Sequence, residues 1–350
     1  MKQIVIFNNE CTGEAIESLI DQLSLASDDQ NVSVIGSSFH FNHENVNSIS
    51  IENQSLPESI AEVLKGAQGD SNVLFIIAQE NISADAMRDA LVALSNSDAE
   101  ISTCIFNGAA ESCELPELSA DTLIRELSLL PQWPLALFSA KAQFAQNIEE
   151  AANAEEFIGQ IIINGLANHA SFATQTAIVD GIDGAILSGE TTSRLLQAAV
   201  NSINIEELFP NHAWETHQEE SAAACYHTLA AAFIKLNDYE SAMQCLAYGD
   251  RLEDSPRSLA LKGIIALNKG ETLNAVANMV SSLQEYERRK KDSKQHYLSF
   301  MPKDLEQINS SLQSGLSALN KRDNDTAVNY FTDAVFNFDS FYSDCGLVRR

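Results

Sequence analysis

The sequence is short of basic residues, and no part of it is both long and apolar. Only 21 Lys and Arg stand against 49 Asp and Glu, so the formal net charge of the 350 residues is −28. Nucleic-acid binding depends on Lys and Arg that neutralise phosphates, so this charge argues against a DNA- or RNA-binding protein. No segment approaches the roughly 20 apolar residues that cross a bilayer, and the N-terminal MKQIVIFNNE lacks the apolar segment of a signal peptide. We therefore expect a cytoplasmic protein without a membrane span.

The motifs of the common cofactor and hydrolase sites are also missing. The chain has neither GxGxxG after its first strand nor GxxxxGK(S/T), which argues against dinucleotide-binding and P-loop proteins. It has no GxSxG and no HExxH, the motifs of a serine nucleophile and of a zinc site. The six cysteines are scattered, without CxxC pairs or metal-ligand spacing, so we expect reduced thiols.

Strand-like and helix-like segments alternate through the first 200 residues. Short apolar runs rich in β-branched residues predict strands, and the segments between them have helical periodicity. This alternation predicts an α/β domain whose sheet is mostly parallel, with helices on its faces. Ligands of such sheets bind beyond the carboxyl ends of the strands. The predicted strands are 3–7, 32–35, 73–77, 101–106 and 135–138.

The last third of the chain repeats one spacing of small and large apolar residues. A small residue is followed by another twelve positions later, by a large apolar residue four further on, and by a small one after three more. Two antiparallel helices that approach closely need small residues where they cross and bulky ones beside the crossing. Polar turns at 237–238, 268–270 and 321–324 would separate the helices of each pair. The pairs of small residues are Ala230 and Ala242, Gly263 and Ala275, and Gly315 and Ala327.

This pattern resembles the tetratricopeptide repeat, whose period is about 34 residues. Ala242 and Ala275 lie 33 positions apart, whereas Ala275 and Ala327 lie 52 apart, so extra sequence separates the second and third copies. The resemblance implies an all-α domain of stacked helical hairpins whose concave face binds a protein or peptide partner. An ordinary helical bundle is the alternative.

The layout of residues 1–200 is similar to that of the family 2 glycosyltransferases. QIVIFNNECTGEAIESLIDQL and VSVIG match the opening strand, helix and second strand of that family, and SLPESIAEVLKGAQGDSNVLFII matches the helix before the metal-site strand. ISADAMRDALVAL matches the next helix, and PLALFSAKAQF with AEEFIGQIIINGLANHASFATQTAIV matches the later strand, helix and strand. The resemblance implies a GT-A fold, which is Rossmann-like, with a nucleotide-sugar donor and a divalent metal (Mg or Mn) if the domain is active.

The residues at the metal motif depart from that family. The resemblance places the two carboxylates of its Asp-x-Asp motif at Ile77 and Gln79. An isoleucine cannot ligate a cation, and a neutral amide is a weak substitute for a carboxylate. Glu80, one residue on, could supply one carboxylate, so it is the candidate metal ligand. Gln79 and Glu80 are the candidate contacts of a donor or cofactor.

The resemblance also places an acidic pair, Glu155 and Glu156, at the start of a helix. In an inverting transferase a carboxylate at this position deprotonates the acceptor hydroxyl, so Glu156 is the candidate catalytic base, with Glu155 beside it. The alternative is that both acids only stabilise the positive end of the helix dipole.

These patterns lead to two predicted domains, a glycosyltransferase-like α/β domain at 1–210 and a helical repeat domain at 215–350. Our leading hypothesis is an adaptor protein, in which the repeats dock a partner and the α/β domain has a degenerate metal site. The alternative is an active cytoplasmic glycosyltransferase that transfers a sugar from a nucleotide sugar to a protein recruited by the repeats. A third possibility is a doubly wound domain without sugar ancestry.

Overall fold

A computed structural model gives the fold and divides the chain into two compact units. The first unit comprises Met1–Ala120 and Leu130–Asn204, and the second comprises Asp121–Leu129 and Ile205–Arg350. The two domains expected from the sequence, 1–210 and 215–350, stay a prediction. In the described part of the chain, no helix has both the length and the apolar character needed to cross a membrane. The residues described are 2–8, 11–23, 25, 30–36, 38–51, 54–78, 84–107, 112–115, 118–180, 184–212, 214–291, 305–323, 326–327, 329–330 and 333–334.

The described strands and helices are numbered in chain order. The strands are β1 Lys2–Asn8, β2 Gln30–Ile35, β3 Val46–Ile49, β4 Asn72–Ala78, β5 Ile101–Asn107, β6 Ser112–Cys113, β7 Gln132–Trp133, β8 Leu137–Lys141, β9 Phe172–Asp180 and β10 Ala185–Ile186. The helices are α1 Gly13–Leu23, α2 Leu56–Leu64, α3 Ala84–Ser95, α4 Ala120–Ser128, α5 Ala142–Ala145, α6 Ala154–Ala167, α7 Gly189–Ser202, α8 Ile205–Leu208, α9 Gln218–Lys235, α10 Tyr239–Leu252, α11 Pro256–Asn268, α12 Thr272–Lys291 and α13 Leu305–Asn320.

The main sheet of the first unit is mixed and mostly parallel, as predicted. Its order is β3-β2-β1-β4-β8-β5-β6, and β9 pairs with β5. Strands β1 to β5 and β9 run in one direction, whereas β8 is antiparallel to both of its neighbours, β4 and β5. The chain passes from β1 outwards to β3 and then crosses to β4, on the other side of β1. The carboxyl ends of β1 and β4 therefore lie side by side at the point where the strand order reverses, which is the usual ligand position of such sheets.

Both faces of the sheet are covered because apolar residues fill both alternating sets of strand positions. Ile4 and Ile6 of β1 join a buried cluster with residues of α1 and α3. On the opposite face Phe7 and Phe75 pack against Phe157 of α6, with ring centroids 6.2 Å apart in each pair. Helices therefore enclose the sheet and hold the ends of its strands in fixed positions.

Helices α9 to α12 of the second unit form two antiparallel hairpins. Their turns fall at two of the three positions that the sequence predicts, with Asn237 and Gly270 in the left-handed conformation (φ 64° and 77°). The third predicted turn follows α13 and has Arg322 at φ 60°. Each such residue lets the chain reverse directly after a helix.

The same backbone hydrogen bonds recur at all three turns. Asp238, Glu271 and Asp323 each donate an N–H to a carbonyl five residues earlier, at 2.8–3.0 Å. The carbonyls of these residues each accept from an alanine four positions later, at 3.0–3.2 Å. The equivalent turn residues are therefore 33 and 52 positions apart, the same intervals that separate Ala242, Ala275 and Ala327 in the sequence. Phe331, the large apolar residue that the spacing expects four positions after Ala327, lies outside the described residues.

Small residues lie buried at the helix crossings, as the spacing predicts. Gly263 of α11 faces α12 so closely that a Cβ there would lie 3.1 Å from Met279 Cγ and 3.4 Å from the Ala275 carbonyl oxygen. Ala230 and Ala242 are fully buried in the α9–α10 hairpin. The repeated spacing therefore encodes close helix pairing.

Candidate functional site

The candidate site lies where β1, β2 and β4 end, and we call it the carboxyl edge. It is defined by Asn8, Gly36 and Ala78, the residues at or just after these strand ends. Asn8 links two of the ends, because its side-chain amide donates to the Gly36 carbonyl at 3.3 Å. Its side-chain oxygen also accepts from the Cys11 N–H at 2.9 Å. One polar side chain thus fixes both the exit of β1 and the exit of β2.

Helix α1 begins at this edge. Thr12 caps it, with the hydroxyl oxygen accepting from the Ala15 N–H at 3.2 Å. The first N–H groups of a helix carry a partial positive charge and favour anionic ligand groups. The start of α1 therefore brings N–H groups to the carboxyl edge, with the exposed acid Glu14 in the same first turn.

An exposed aromatic ring lies over the start of α1. Phe39, in the segment after β2, packs directly on Gly13, where a Cβ would lie 2.5 Å from the ring carbon Cγ. Only glycine lets the ring approach so closely. The ring is still 44% exposed, so it offers a flat apolar surface beside the helix start. Sequence analysis missed both Phe39 and Asn8, although Asn8 follows the apolar run of β1 directly.

The metal motif inferred from the resemblance is only partly described. Ile77 is buried, and its N–H donates to the Ala136 carbonyl at 2.9 Å. Its side chain belongs to the core and offers no ligand atom. Gln79 and Glu80, the candidate donor contacts and metal ligand, lie outside the described residues, so their roles stay predictions. The described residues contain no group of three or more His, Cys, Asp or Glu side chains arranged to hold a metal ion.

Glu156, the candidate base, is only 2% exposed and has several partners. It lies in the first turn of α6, where the Asn153 side chain accepts from its N–H at 2.8 Å. Its carboxylate accepts from the Ala152 N–H at 3.1 Å and pairs with Arg194 of α7, Nε to Oε2, at 3.2 Å. Arg194 also forms an ion pair with Glu190, Nη2 to Oε1, at 2.9 Å. The carboxylate thus ties the start of α6 to α7.

Glu155 differs from its neighbour in burial. It is half-buried in the same first turn of α6, where a negative charge suits the helix dipole. Both catalytic assignments stay predictions. Arg194 was missed by sequence analysis, because 38 positions separate it from Glu156 and no local pattern connects them.

Helix α10 of the second unit carries an exposed apolar surface, defined here as the α10 patch. It consists of Tyr248, Arg251 and Leu252, all exposed. Tyr248 stacks on Tyr226 of α9 with ring centroids 5.6 Å apart, and the Arg251 guanidinium lies 5.4 Å from the Tyr248 ring centroid. Tyr and Arg are the residue types that most often dominate protein interfaces.

Helix α9 has no comparable surface. Between positions 221 and 234, eleven of its residues are buried around the whole helix, and α11 is buried in the same way. A helix that is buried all round cannot present one apolar face to a partner. Among helices α9, α10 and α11, the α10 patch is therefore the best candidate for a docking surface.

Comparisons with known proteins give no family assignment. No protein-family model and no curated protein sequence matches the chain. Among solved structures, it is similar to residues 1–349 of S. aureus TarS, a glycosyltransferase, at 16% identity, with 87% of this chain and 95% of that chain covered and a TM-score of 0.42. A mycobacterial protein shares 15% identity over 58% of this chain and 75% of its own, with a TM-score of 0.39.

A third structure is 2-C-methyl-D-erythritol 4-phosphate cytidylyltransferase (IspD) of Francisella tularensis. It has 11% identity, covers 57% of this chain and 100% of its own, and has a TM-score of 0.28. All three scores are below 0.5, so these similarities carry no conclusion about activity. What the structure itself establishes is a mostly parallel α/β sheet followed by a helical C-terminal region.

Proposed function

We propose that this chain is an interaction protein, in which a glycosyltransferase-like α/β unit is joined to a helical region that docks a protein partner. The observation that carries this proposal is the engagement of Glu156. A general base must reach the hydroxyl of the acceptor. The Glu156 carboxylate is instead buried against the Ala152 N–H and Arg194. Proton transfer to it would weaken the contacts that join α6 to α7, so we assign it a structural role.

Cation-dependent transfer also fits the described residues poorly. A divalent cation, when bound in such a domain, would neutralise the diphosphate of a nucleotide sugar. Hard cations require several oxygen ligands. The first motif position is Ile77, which is buried in the core, and the second is the amide Gln79. Glu80 is the one carboxylate of this motif.

The carboxyl edge nevertheless suits a nucleotide sugar bound without a cation. The exposed Phe39 ring offers a stacking surface for a base, and the N–H groups at the start of α1 suit a phosphate. Asn8 holds the β1 and β2 ends together. We propose that this edge binds a nucleotide sugar as a regulatory or vestigial ligand.

In the second unit, we propose tetratricopeptide-like repeats with the α10 patch as the docking surface. The three turns with identical hydrogen bonds support a repeat over a bundle of unrelated helices. Tyr248 is 54% exposed and is held between Tyr226 and Arg251. A fixed, exposed aromatic ring of this kind is a typical anchor for a protein partner.

We further propose that the protein works in the cytoplasm. The five cysteines among the described residues are free and buried, and none forms a disulfide. Reduced thiols are typical of that compartment.

The docking proposal is tested with the full-length chain as bait. Tyr248→Glu removes the aromatic anchor, and Leu273→Glu, at an exposed position of a different helix, α12, adds the same charge. A specific partner should be recovered with wild type and with Leu273→Glu, and lost with Tyr248→Glu. Recovery that is equal for all three baits would reject the α10 patch as the docking surface.

A further inference from the structure

Strand β9 forms an open edge of the main sheet. Within the described part of the chain, its one strand partner is β5, which pairs on its other side with β8 and β6. An edge strand presents a row of N–H and C=O groups to which another strand can add. With nine residues, β9 is as long as any strand described.

The orientation of these groups follows from the hydrogen bond at the start of the strand. The Ser171 carbonyl accepts from the Ile101 N–H of β5 at 3.0 Å. Because the N–H and C=O of a strand residue point to the same side and alternate along the strand, residues 173 and 175 also face β5. The groups of Phe172 and Thr174 therefore point away from the sheet. The pairing with β5 is regular here and shifts only after Gln175.

The composition of β9 does not block strand addition. Natural edges are usually protected by Lys, Pro or inward-pointing charges. Residues 171–179 read SFATQTAIV without a charge or a proline, and the one charged residue of β9 is Asp180 at its end. Thr174, Thr176 and Ile178 are exposed, Ile178 to 52%, and Thr176 lies in the irregularity between Gln175 and Ile178. Thr and Ile are the residue types that pack well across paired strands.

We propose that two copies of this chain associate by antiparallel pairing of their β9 strands. Asp180, at the very end of β9, is its one charged residue. Antiparallel self-pairing around the neutral segment 171–179 sets no like charges opposite each other, whereas a basic segment would meet a single acid at the end of the strand, so a second copy is favoured over a charged peptide. The exposed Thr and Ile side chains of the two copies would form one continuous face. The net charge of −28 on each copy opposes association, and this repulsion is screened by salt.

The proposal therefore predicts the direction in which salt changes the stability of the dimer. The dimer should be weak at low ionic strength and should strengthen as salt is raised, because a ladder of two strands buries little area and the repulsion is long-ranged. A dimer held by ion pairs would show the opposite trend. This inference is independent of the proposed function, since it rests on β9 and not on the carboxyl edge.

Sedimentation equilibrium of the full chain over a range of NaCl concentrations tests the proposal. Thr174→Pro removes an outward N–H and leaves the β5 ladder intact, and Thr174→Lys places two like charges near each other in the paired dimer. Leu273→Lys, at an exposed position of α12, makes the same charge change elsewhere. Wild type and Leu273→Lys should dimerise increasingly with salt, whereas both Thr174 variants stay monomeric. Circular dichroism confirms that each variant is folded.

Two results would overturn the proposal. One is a wild-type chain that stays monomeric at every salt and protein concentration. The other is a folded Thr174→Pro variant that dimerises as well as wild type.

Discussion

Replacing Glu156 by Gln should destabilise the first unit, although it keeps the shape of the side chain. The neutral amide can still accept from the Ala152 N–H, but it loses the ionic contact with Arg194, which lies at 3.2 Å. Removing one partner of a buried ion pair is destabilising because the other charge loses its compensation. The Arg194 side chain is 40% exposed, so solvent screens the pair, and we expect a loss of about 1–2 kcal/mol.

Glu155→Gln is the matched control. It removes a charge from the same first turn of α6, so its expected cost is the helix-dipole contribution of about 0.3–1 kcal/mol. Arg194→Gln should reproduce most of the Glu156→Gln loss, and the double variant should cost little more than either single one, because the two residues act as a pair.

Urea unfolding followed by tryptophan fluorescence measures these losses. Trp133 is fully buried in the first unit, and the chain has one other tryptophan, Trp214. In a Trp214→Phe background the signal therefore comes from the first unit alone. A loss of 1–2 kcal/mol shifts the urea midpoint by roughly 0.5–1 M if the slope is about 2 kcal/mol/M. Equal midpoints for Glu156→Gln and Glu155→Gln would refute the structural role of Glu156.

Three further predictions concern thiols, pH and helix packing. Burial raises the pKa of the Cys104 and Cys245 thiols to about 12, so both should react with a disulfide reagent only after unfolding; fast reaction of the native chain would contradict this. Burial lowers the pKa of His212, so its contribution to stability is present above the unfolded pKa of about 6.5 and is lost as the pH falls through the folded value. His212→Gln should therefore reduce the drop in urea midpoint between neutral and acidic pH, and an unchanged drop would contradict it. Gly263→Leu should clash with Met279, 3.1 Å from the added Cβ, and cost about 1–3 kcal/mol; a thermal midpoint equal to that of wild type would contradict close pairing of α11 and α12.

Much of the fold could be predicted because its signals are local. The apolar runs of β1 and β4 and the turn residues Asn237 and Gly270 carry their structure in a few adjacent positions, and each lies where the sequence predicts it. The spacing of Gly263 and Ala275 predicts a close crossing because helix geometry fixes which residues share a face.

Features that depend on distant partners could not be predicted. The antiparallel position of β8 between β4 and β5 is set by pairing across the sheet. Strand β9 contains polar residues such as Thr174 and Gln175, so it lacks the apolar run from which a strand of nine residues could be predicted. The link from Asn8 to Gly36 spans 28 positions. The same limit applies to Glu156, whose acidic character is visible in the sequence but whose pairing with Arg194 is not.

Calorimetric titration of the full-length chain with nucleotide sugars tests the central claim most directly. UDP-glucose, UDP-N-acetylglucosamine and GDP-mannose would each be titrated in Mn²⁺ and in EDTA, with hydrolysis and transfer followed in the same samples. We expect that any affinity is the same with and without Mn²⁺, that Phe39→Ala weakens it, and that no sugar is transferred. Binding that is at least tenfold tighter in Mn²⁺, with turnover that Glu156→Gln abolishes, would contradict the account and identify a metal-dependent transferase.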